Sequence, residues 1–307
     1  MSLGTALQRI WPRPPKYTGP ERRKRPRRKL RPFRVLLLLL WLAVAGYAVG
    51  IVWLMSQESR LVFRAVATLG GTRPPFPYEQ VELPRQDGAR QFAWTMRRAA
   101  SDDGPWVVYF HGSPSTIASP VNISHYKLLR DLGLNVLAPE YRGFAGLEGT
   151  PTEASLAADA RAAYDFLRAR RIEPDRVVIY GWSLGSAVAI GLASQVASAA
   201  VIVEGAPSSL ADVAQQRYPF APIRLLMRDR FDTKDKIGLV KSPVLVLHSR
   251  EDDLIPFAEG RKLFDLASGE KAFVEVRGGH LYAADVDPAH VAGAIRDFLR
   301  AHRVAME

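Results

Sequence analysis

Two hydrophobic patterns divide this chain. From Val35 to Met55 the residues VLLLLLWLAVAGYAVGIVWLM run 21 positions without a charge. As a helix such a run extends about 31 Å at 1.5 Å per residue, which matches the hydrocarbon core of a bilayer. A buried core helix is seldom apolar on every face for that length. From Tyr78 onward the pattern changes to short apolar runs separated by amphipathic stretches. Strands are predicted over 78–83, 90–96, 106–110, 134–138, 176–180, 200–203, 244–247 and 272–276, and helices over 123–132, 152–170, 184–196, 257–266 and 288–304. The first two strands flank Gln86-Asp87-Gly88, a hairpin signal. The alternation that follows predicts an α/β domain, with a mostly parallel eight-stranded sheet covered by helices on both faces. One interval, 207–241, is too long for an ordinary connection and predicts a small helical cap over the sheet edge.

Charge refines this division. The formal net charge of +11 comes from 42 Lys and Arg against 31 Asp and Glu, and residues 1–34 hold twelve of the bases against the single acid Glu21. The tail therefore carries the whole excess, and the rest of the chain is neutral with 30 of each sign. A pI near 10.0 thus describes an arm and gives no support for a nucleic-acid-binding domain, so no nucleic acid is expected as a partner. Its many Pro and Arg residues predict an extended, disordered segment over 1–34. The basic flank before 35–55 places the N-terminus in the cytoplasm and everything after Met55 across the membrane, periplasmic in a bacterium. Anionic lipid heads are a possible partner of the same tail. Ala43-Val44-Ala45 meets the small-x-small rule for signal cleavage, but apolar residues continue past it, so an uncleaved signal-anchor is the expectation. Residues 56–77, ending in the breaker-rich GGTRPPFP, read as a stalk before a domain at 78–307. The absence of cysteine excludes thiol catalysis and Cys-based metal or iron–sulfur sites.

The candidate chemistry lies at strand ends. The predicted strand 176–180 runs into Gly181-Trp182-Ser183-Leu184-Gly185 and then a small-residue helix, the strand–turn–helix setting of a G-x-S-x-G nucleophile elbow. Gly181 and Gly185 remove Cβ atoms that would clash in so tight a turn, and Ser183 is placed at a helix N-terminus that favours developing negative charge. Strand 244–247 leads to His248-Ser249-Arg250-Glu251-Asp252-Asp253, which puts acids at the C-terminal end of a strand, where open α/β sheets build their sites. Strand 272–276 leads to Gly278-Gly279-His280, a loop able to carry an imidazole. Strand 106–110 ends at His111-Gly112-Ser113-Pro114, where a main-chain N–H can serve an oxyanion.

As an ordered set these motifs resemble the α/β-hydrolase superfamily, and within it the membrane-anchored branch related to the bud-emergence type, near the serine aminopeptidase-like group. The residues that carry the resemblance are His111-Gly112, Asn122-Ile123-Ser124-His125, Tyr141-Arg142-Gly143, the Gly181–Gly185 pentapeptide, His248 four residues before Asp252, and Gly279-His280. It covers about 78–304 and implies the α/β-hydrolase fold. It implies Ser183 as nucleophile, Asp252 as acid and His280 as base, with the N–H groups of Leu184 and Ser113 as oxyanion hole, and no metal or organic cofactor. The chain departs from that branch in having the nine residues 113–121 in place of a shorter connection, and Glu140 where Asp is usual. The implied activity is a serine hydrolase acting on an ester, thioester or amide through an acyl-enzyme, with a small-molecule or acyl-chain substrate. A peptidase of the same fold and a silent binding or scaffold module are the alternatives.

Plainer roles exist for several of these residues. Ser183 can be a helix N-cap. Asp253 and Glu204 are alternative acids. His290 and His302 are expected to be solvated on the last helix, His125 to open a helix, and His111 and His248 to satisfy local backbone groups. Trp182 is expected to pack, with an acyl group as a possible neighbour. Leu225, Leu226, Met227 and Phe231 of the cap can line a groove or pack the core, and Arg217, Arg224, Arg228 and Asp229 have no assignable role.

Overall fold

The computed structural model describes residues 19, 32–85, 87–98, 104–280 and 283–304. Residues 1–18 and 20–31 of the basic arm, and Gln86 of the hairpin turn, fall outside those residues, whereas 32–34, expected to belong to the disordered arm, open the first helix. The chain divides at Gly50–Ile51 into two units. Helix α1 (Pro32–Ser56) has no buried residue and is, by length and composition, able to cross a membrane.

In the second unit, eight strands form one sheet: β1 (Glu79–Glu82), β2 (Phe92–Met96), β3 (Trp106–Phe110), β4 (Asn135–Pro139), β5 (Val177–Trp182), β6 (Ala200–Glu204), β7 (Val244–Ser249) and β8 (Lys271–Val276). Their order is β1-β2-β4-β3-β5-β6-β7-β8; the pairs β1–β2 and β2–β4 are antiparallel and all others parallel. Five consecutive Val, Tyr and Phe-rich positions of β3 are fully buried, because a central parallel strand has a core on each face. Val108, Phe110, Val177, Ile179, Val201 and Val203 join the core that includes α4 (Glu153–Ala169), α5 (Leu184–Ala193) and α8 (Phe257–Leu266). Their neighbours Val107, Tyr109, Val178, Tyr180 and Ile202 join the core under α3 (Pro120–Asp131), the short α9 (Ala283–Val286) and α10 (Pro288–Ala301). The two-residue period of a strand thus feeds both layers. The cap interval holds α6 (Leu210–Arg217), α7 (Ile223–Leu226) and two short 3-10 turns.

Three expectations need correction. Helix α3 starts at Pro120, whose missing N–H costs nothing in a first helical turn, so His125 lies in the second turn rather than opening the helix. Residues 58–69 do not hang as a stalk. They include α2 (Glu58–Phe63), and Phe63 is fully buried in the first core, edge-on to Phe231 at 6.0 Å. Ser59 Oγ donates to the carbonyl of Pro151 (3.2 Å), Thr116 Oγ1 to that of Leu69 (2.9 Å) and Ala145 N–H to that of Val66 (2.7 Å). Finally, His302 is not solvated: it lies 2.7 Å from Glu270 and its ring packs at 4.5 Å on Phe298.

Candidate active site

Strand β5 passes into α5 through Ser183, whose φ of 56° and ψ of −124° lie outside the comfortable regions for a residue with a side chain. A Cβ at Gly181 would enter the backbone of Gly185, and one at Gly185 would overlap the carbonyl groups of Phe110 and His111. The turn therefore closes only with glycine at both positions. Ser183 N–H donates to the carbonyl of Glu204 (2.8 Å), and Ser186 Oγ bridges the carbonyls of Gly181 (2.7 Å) and Glu204 (2.9 Å).

His280 reaches this hydroxyl from the loop after β8. Its Nε2 lies 2.7 Å from Ser183 Oγ and its Nδ1 2.7 Å from Asp252 Oδ2. The second carboxylate oxygen of Asp252 accepts the N–H groups of Leu254 (3.0 Å) and Ile255 (2.8 Å), which fixes the plane of the carboxylate. Burial works against the charge on Asp252, but the bonds from His280 and these two N–H groups outweigh it and hold the carboxyl below its ordinary range. The indole Nε1–H of Trp182 donates to the carbonyl of His280 (3.2 Å) and so ties the loop to β5. Gly205, at φ 56°, leaves room for the imidazole, since a Cβ there would lie 3.2 Å from His280 Cε1.

The loop after β3 runs against the same serine, because a Cβ at Gly112 would come within 2.9 Å of Ser183 Cβ. Leu184 is the first residue of α5, with its N–H at the helix's positive end. Ser113 donates its hydroxyl to the carbonyl of Phe63, so the docked α2 segment holds this loop from outside. From inside, His111 Nε2 lies 2.9 Å from Glu140 Oε1, and Tyr141 OH donates to His111 O (3.0 Å). The other oxygen of Glu140 accepts Ile117 N–H at 3.1 Å. The longer acid at 140 thus reaches the longer loop at 113–121, and the two departures from the family pattern meet in one contact.

The alternative acids are elsewhere. Asp253 is exposed. Glu204 turns to the opposite face of the sheet, where its Oε2 takes the hydroxyl of Tyr180 and lies 3.0 Å from His125 Nε2. Burial opposes both charges of that pair, but their mutual attraction wins, lowering the Glu204 pKa and raising that of His125. His248 Nε2 lies 3.0 Å from the carbonyl of Ile255, and burial lowers the pKa of this imidazole. Trp182 is buried between the rings of His125 (6.0 Å) and His280 (5.9 Å).

Of the cap residues, Phe231 belongs to the core, Leu226 and Met227 are half-buried, and Leu225 points to solvent. Arg224 pairs with Asp212 at 2.6 Å, and Asp229 accepts Glu153 N–H at 2.7 Å. Sequence reasoning did not find Phe63, Glu140, Gly205 or the Glu204–His125 pair as supports of the site. The departure at Glu140, the strand-end acid Glu204 and the motif that ends in His125 each gave a signal, but none of them pointed to these contacts.

Comparison with known proteins agrees with this architecture. Residues 107–238 match the model of the alpha/beta hydrolase family. An uncharacterized protein of Mycobacterium tuberculosis is 34% identical over 260 residues, covering 83% of this chain and 91% of its own. The lysophosphatidylserine lipase ABHD12 of Danio rerio is 28% identical over 207 residues, covering 61% of this chain and 53% of its own. Among solved structures, the Pyrococcus furiosus esterase Pf2001 superposes with a TM-score of 0.63 at 19% identity, over 78% of this chain and 98% of that one. With a sheet of this order and relatives of this extent, the chain belongs to the alpha/beta hydrolase family.

Proposed function

We propose that this protein is a membrane-anchored serine hydrolase that cleaves a carboxylic ester, thioester or amide. The observation that carries the reading is the unbroken line of hydrogen bonds from Ser183 Oγ through His280 to Asp252. In this reading His280 Nε2 takes the proton as Ser183 Oγ attacks the substrate carbonyl, and Asp252 holds Nδ1 protonated and stabilises the imidazolium. The N–H groups of Leu184 and Ser113 receive the oxyanion, each contributing about 3 kcal/mol to barrier lowering. The carbonyl re-forms and expels the leaving group, which takes its proton from His280. Water, activated by the same imidazole, then hydrolyses the acyl-serine.

Relatives named as a lysophosphatidylserine lipase and an esterase support an acyl ester as the preferred bond. Helix α1 supplies the anchor, and the basic residues before it assign residues 1–34 to the cytoplasm and the catalytic domain to the far side. A fluorophosphonate reporter applied to the full chain in membranes tests the reading: wild type is expected to be labelled and Ser183→Ala to be unlabelled. Absence of labelling in folded wild type overturns it. Hydrolysis of p-nitrophenyl esters of graded chain length, beside aminoacyl anilides, then separates an esterase from a peptidase.

A further inference from the structure

From the cap, we infer that the segment 216–228 is a lipid-contacting surface, seated on an anionic bilayer. The inference rests on the reading of α1 as a membrane anchor. The segment reads QRYPFAPIRLLMR and contains three arginines and no acid. It is exposed where its apolar groups are largest, with Tyr218 at 47%, Phe220 at 68% and Leu225 at 81% of full accessibility. The rings of Tyr218 and Phe220 meet edge to face at 6.2 Å, so the aromatic pair projects as one unit. Arg217, Arg224 and Arg228 of the same segment are exposed as well. The adjoining acids are engaged by partners: Asp212 pairs with Arg224 (2.6 Å) and Lys234 (2.6 Å), Asp229 accepts the N–H of Glu153, and Glu58 accepts main-chain N–H groups of the segment's end. Aromatic and leucine side chains among arginines are the composition that settles at the headgroup boundary, where the rings enter the acyl layer and the guanidinium groups meet phosphate.

Chain connectivity selects the bilayer as the occupant. Glu58 accepts the N–H groups of Arg228 (2.7 Å) and Asp229 (2.9 Å), the end of this very segment. Glu58 follows Met55, the last residue of the apolar run, by three positions, a reach of no more than about 11 Å. The cap is therefore tied to the point where the chain leaves the hydrocarbon. A second copy is a poorer occupant, because a twofold contact would set these arginines against their own equivalents.

The chain has no cysteine, so single substitutions place a reporter without further change. Full-length Phe220→Cys, Leu225→Cys, Val44→Cys and Asp175→Cys would each carry a nitrobenzoxadiazole label. The proteins would be reconstituted in phosphatidylcholine vesicles containing phosphatidylglycerol and quenched by spin-labelled acyl chains. Val44 lies in α1, and the exposed Asp175 precedes β5, at the sheet rim opposite Ser183. Labels at 220 and 225 are expected to be quenched several-fold more than the label at 175. Their quenching should fall when Arg217, Arg224 and Arg228 are replaced together by Gln. Quenching at 44 with none at 220 and 225 beyond that at 175 overturns the cap assignment alone. No quenching at 44 overturns the anchor reading instead. Labels at 220 and 225 that are shielded from water, unquenched by lipid and accompanied by a stable dimer would make the face an interface between copies and overturn the lipid assignment.

Discussion

Replacing Asp252 by Asn isolates the acid's contribution to the proposed catalysis, because the structure dictates how the amide must lie. One carboxylate oxygen accepts two main-chain N–H groups, from Leu254 at 3.0 Å and Ile255 at 2.8 Å. An NH₂ group in that place would face two donors, so the Asn oxygen must occupy it. The NH₂ is then forced to the position 2.7 Å from His280 Nδ1. It can only donate there, so Nδ1 must be the unprotonated nitrogen and the proton moves to Nε2. An imidazole protonated at Nε2 cannot accept the proton of Ser183. The variant keeps its turn and loses the base; because Asp252 is buried and its charge-assisted bonds become neutral ones, its stability should fall by about 1–3 kcal/mol. A triad left in the wrong tautomer retains about 10⁻⁴ of its rate, or about 5.4 kcal/mol of barrier at 1.36 kcal/mol per decade. Steady-state ester hydrolysis beside urea unfolding gives both numbers. Activity within tenfold of wild type, in a variant that is folded under the assay conditions, would refute this assignment.

Glu204→Gln should strike stability harder than Asp252→Asn does, since breaking one side of a buried ion pair costs about 3–5 kcal/mol; thermal unfolding measures it. The Glu204 pKa is depressed, so its contribution is present above the ordinary carboxylate value of about 4.3 and is lost as pH falls through the depressed value. The His125 pKa is raised, so its contribution is complete below about 6.5 and is lost as pH rises through the raised value. The wild-type melting temperature should therefore decline on both sides of a plateau near pH 5–6.5, and Glu204→Gln should flatten both limbs. Gly205→Ala places a Cβ 3.2 Å from His280 Cε1 at a φ of 56°; it should lower kcat about tenfold with KM little changed, a displacement of a few tenths of an ångström being costly at a proton-transfer site. Phe63→Ala empties a fully buried site and should cost about 3–5 kcal/mol in urea unfolding, whereas a free stalk would lose nothing.

The parts of this molecule that were legible share one property: their cause lies within a few neighbouring residues. The run WVVYF reads as a central strand because every position is apolar, and β3 covers that interval. The pentapeptide at 181–185 is readable because both glycines answer a clash inside the turn itself. Boundaries went wrong where one residue decides: Pro120 starts α3 three positions before the periodic apolar pattern does. The Glu58–Phe63 helix was hidden, since six residues carry too little pattern to outweigh the Gly and Pro that follow them. Its docking depends on one aromatic ring and on main-chain carbonyls, which leave no trace in residue type. Glu204 and His125 stand 79 positions apart, and neither has a local reason to be there.

The end of β6 explains how the site can hold a strained residue without unravelling. A side-chain-bearing residue at the φ and ψ of Ser183 costs about 1–3 kcal/mol. Two hydrogen bonds offset it, Ser183 N–H and Ser186 Oγ both converging on the carbonyl of Glu204, each contributing about 1 kcal/mol. That carbonyl stays in place because its own side chain is clamped on the other face by His125 and Tyr180. The next residue, Gly205, turns the chain away with no Cβ to block the imidazole. The Glu204–His125 pair is therefore a positioning device for the proposed nucleophile as well as a source of stability. Its loss should let Ser183 relax toward an ordinary conformation, and the proportion of Glu204→Gln protein that takes a fluorophosphonate label should fall in step with its loss of ester turnover.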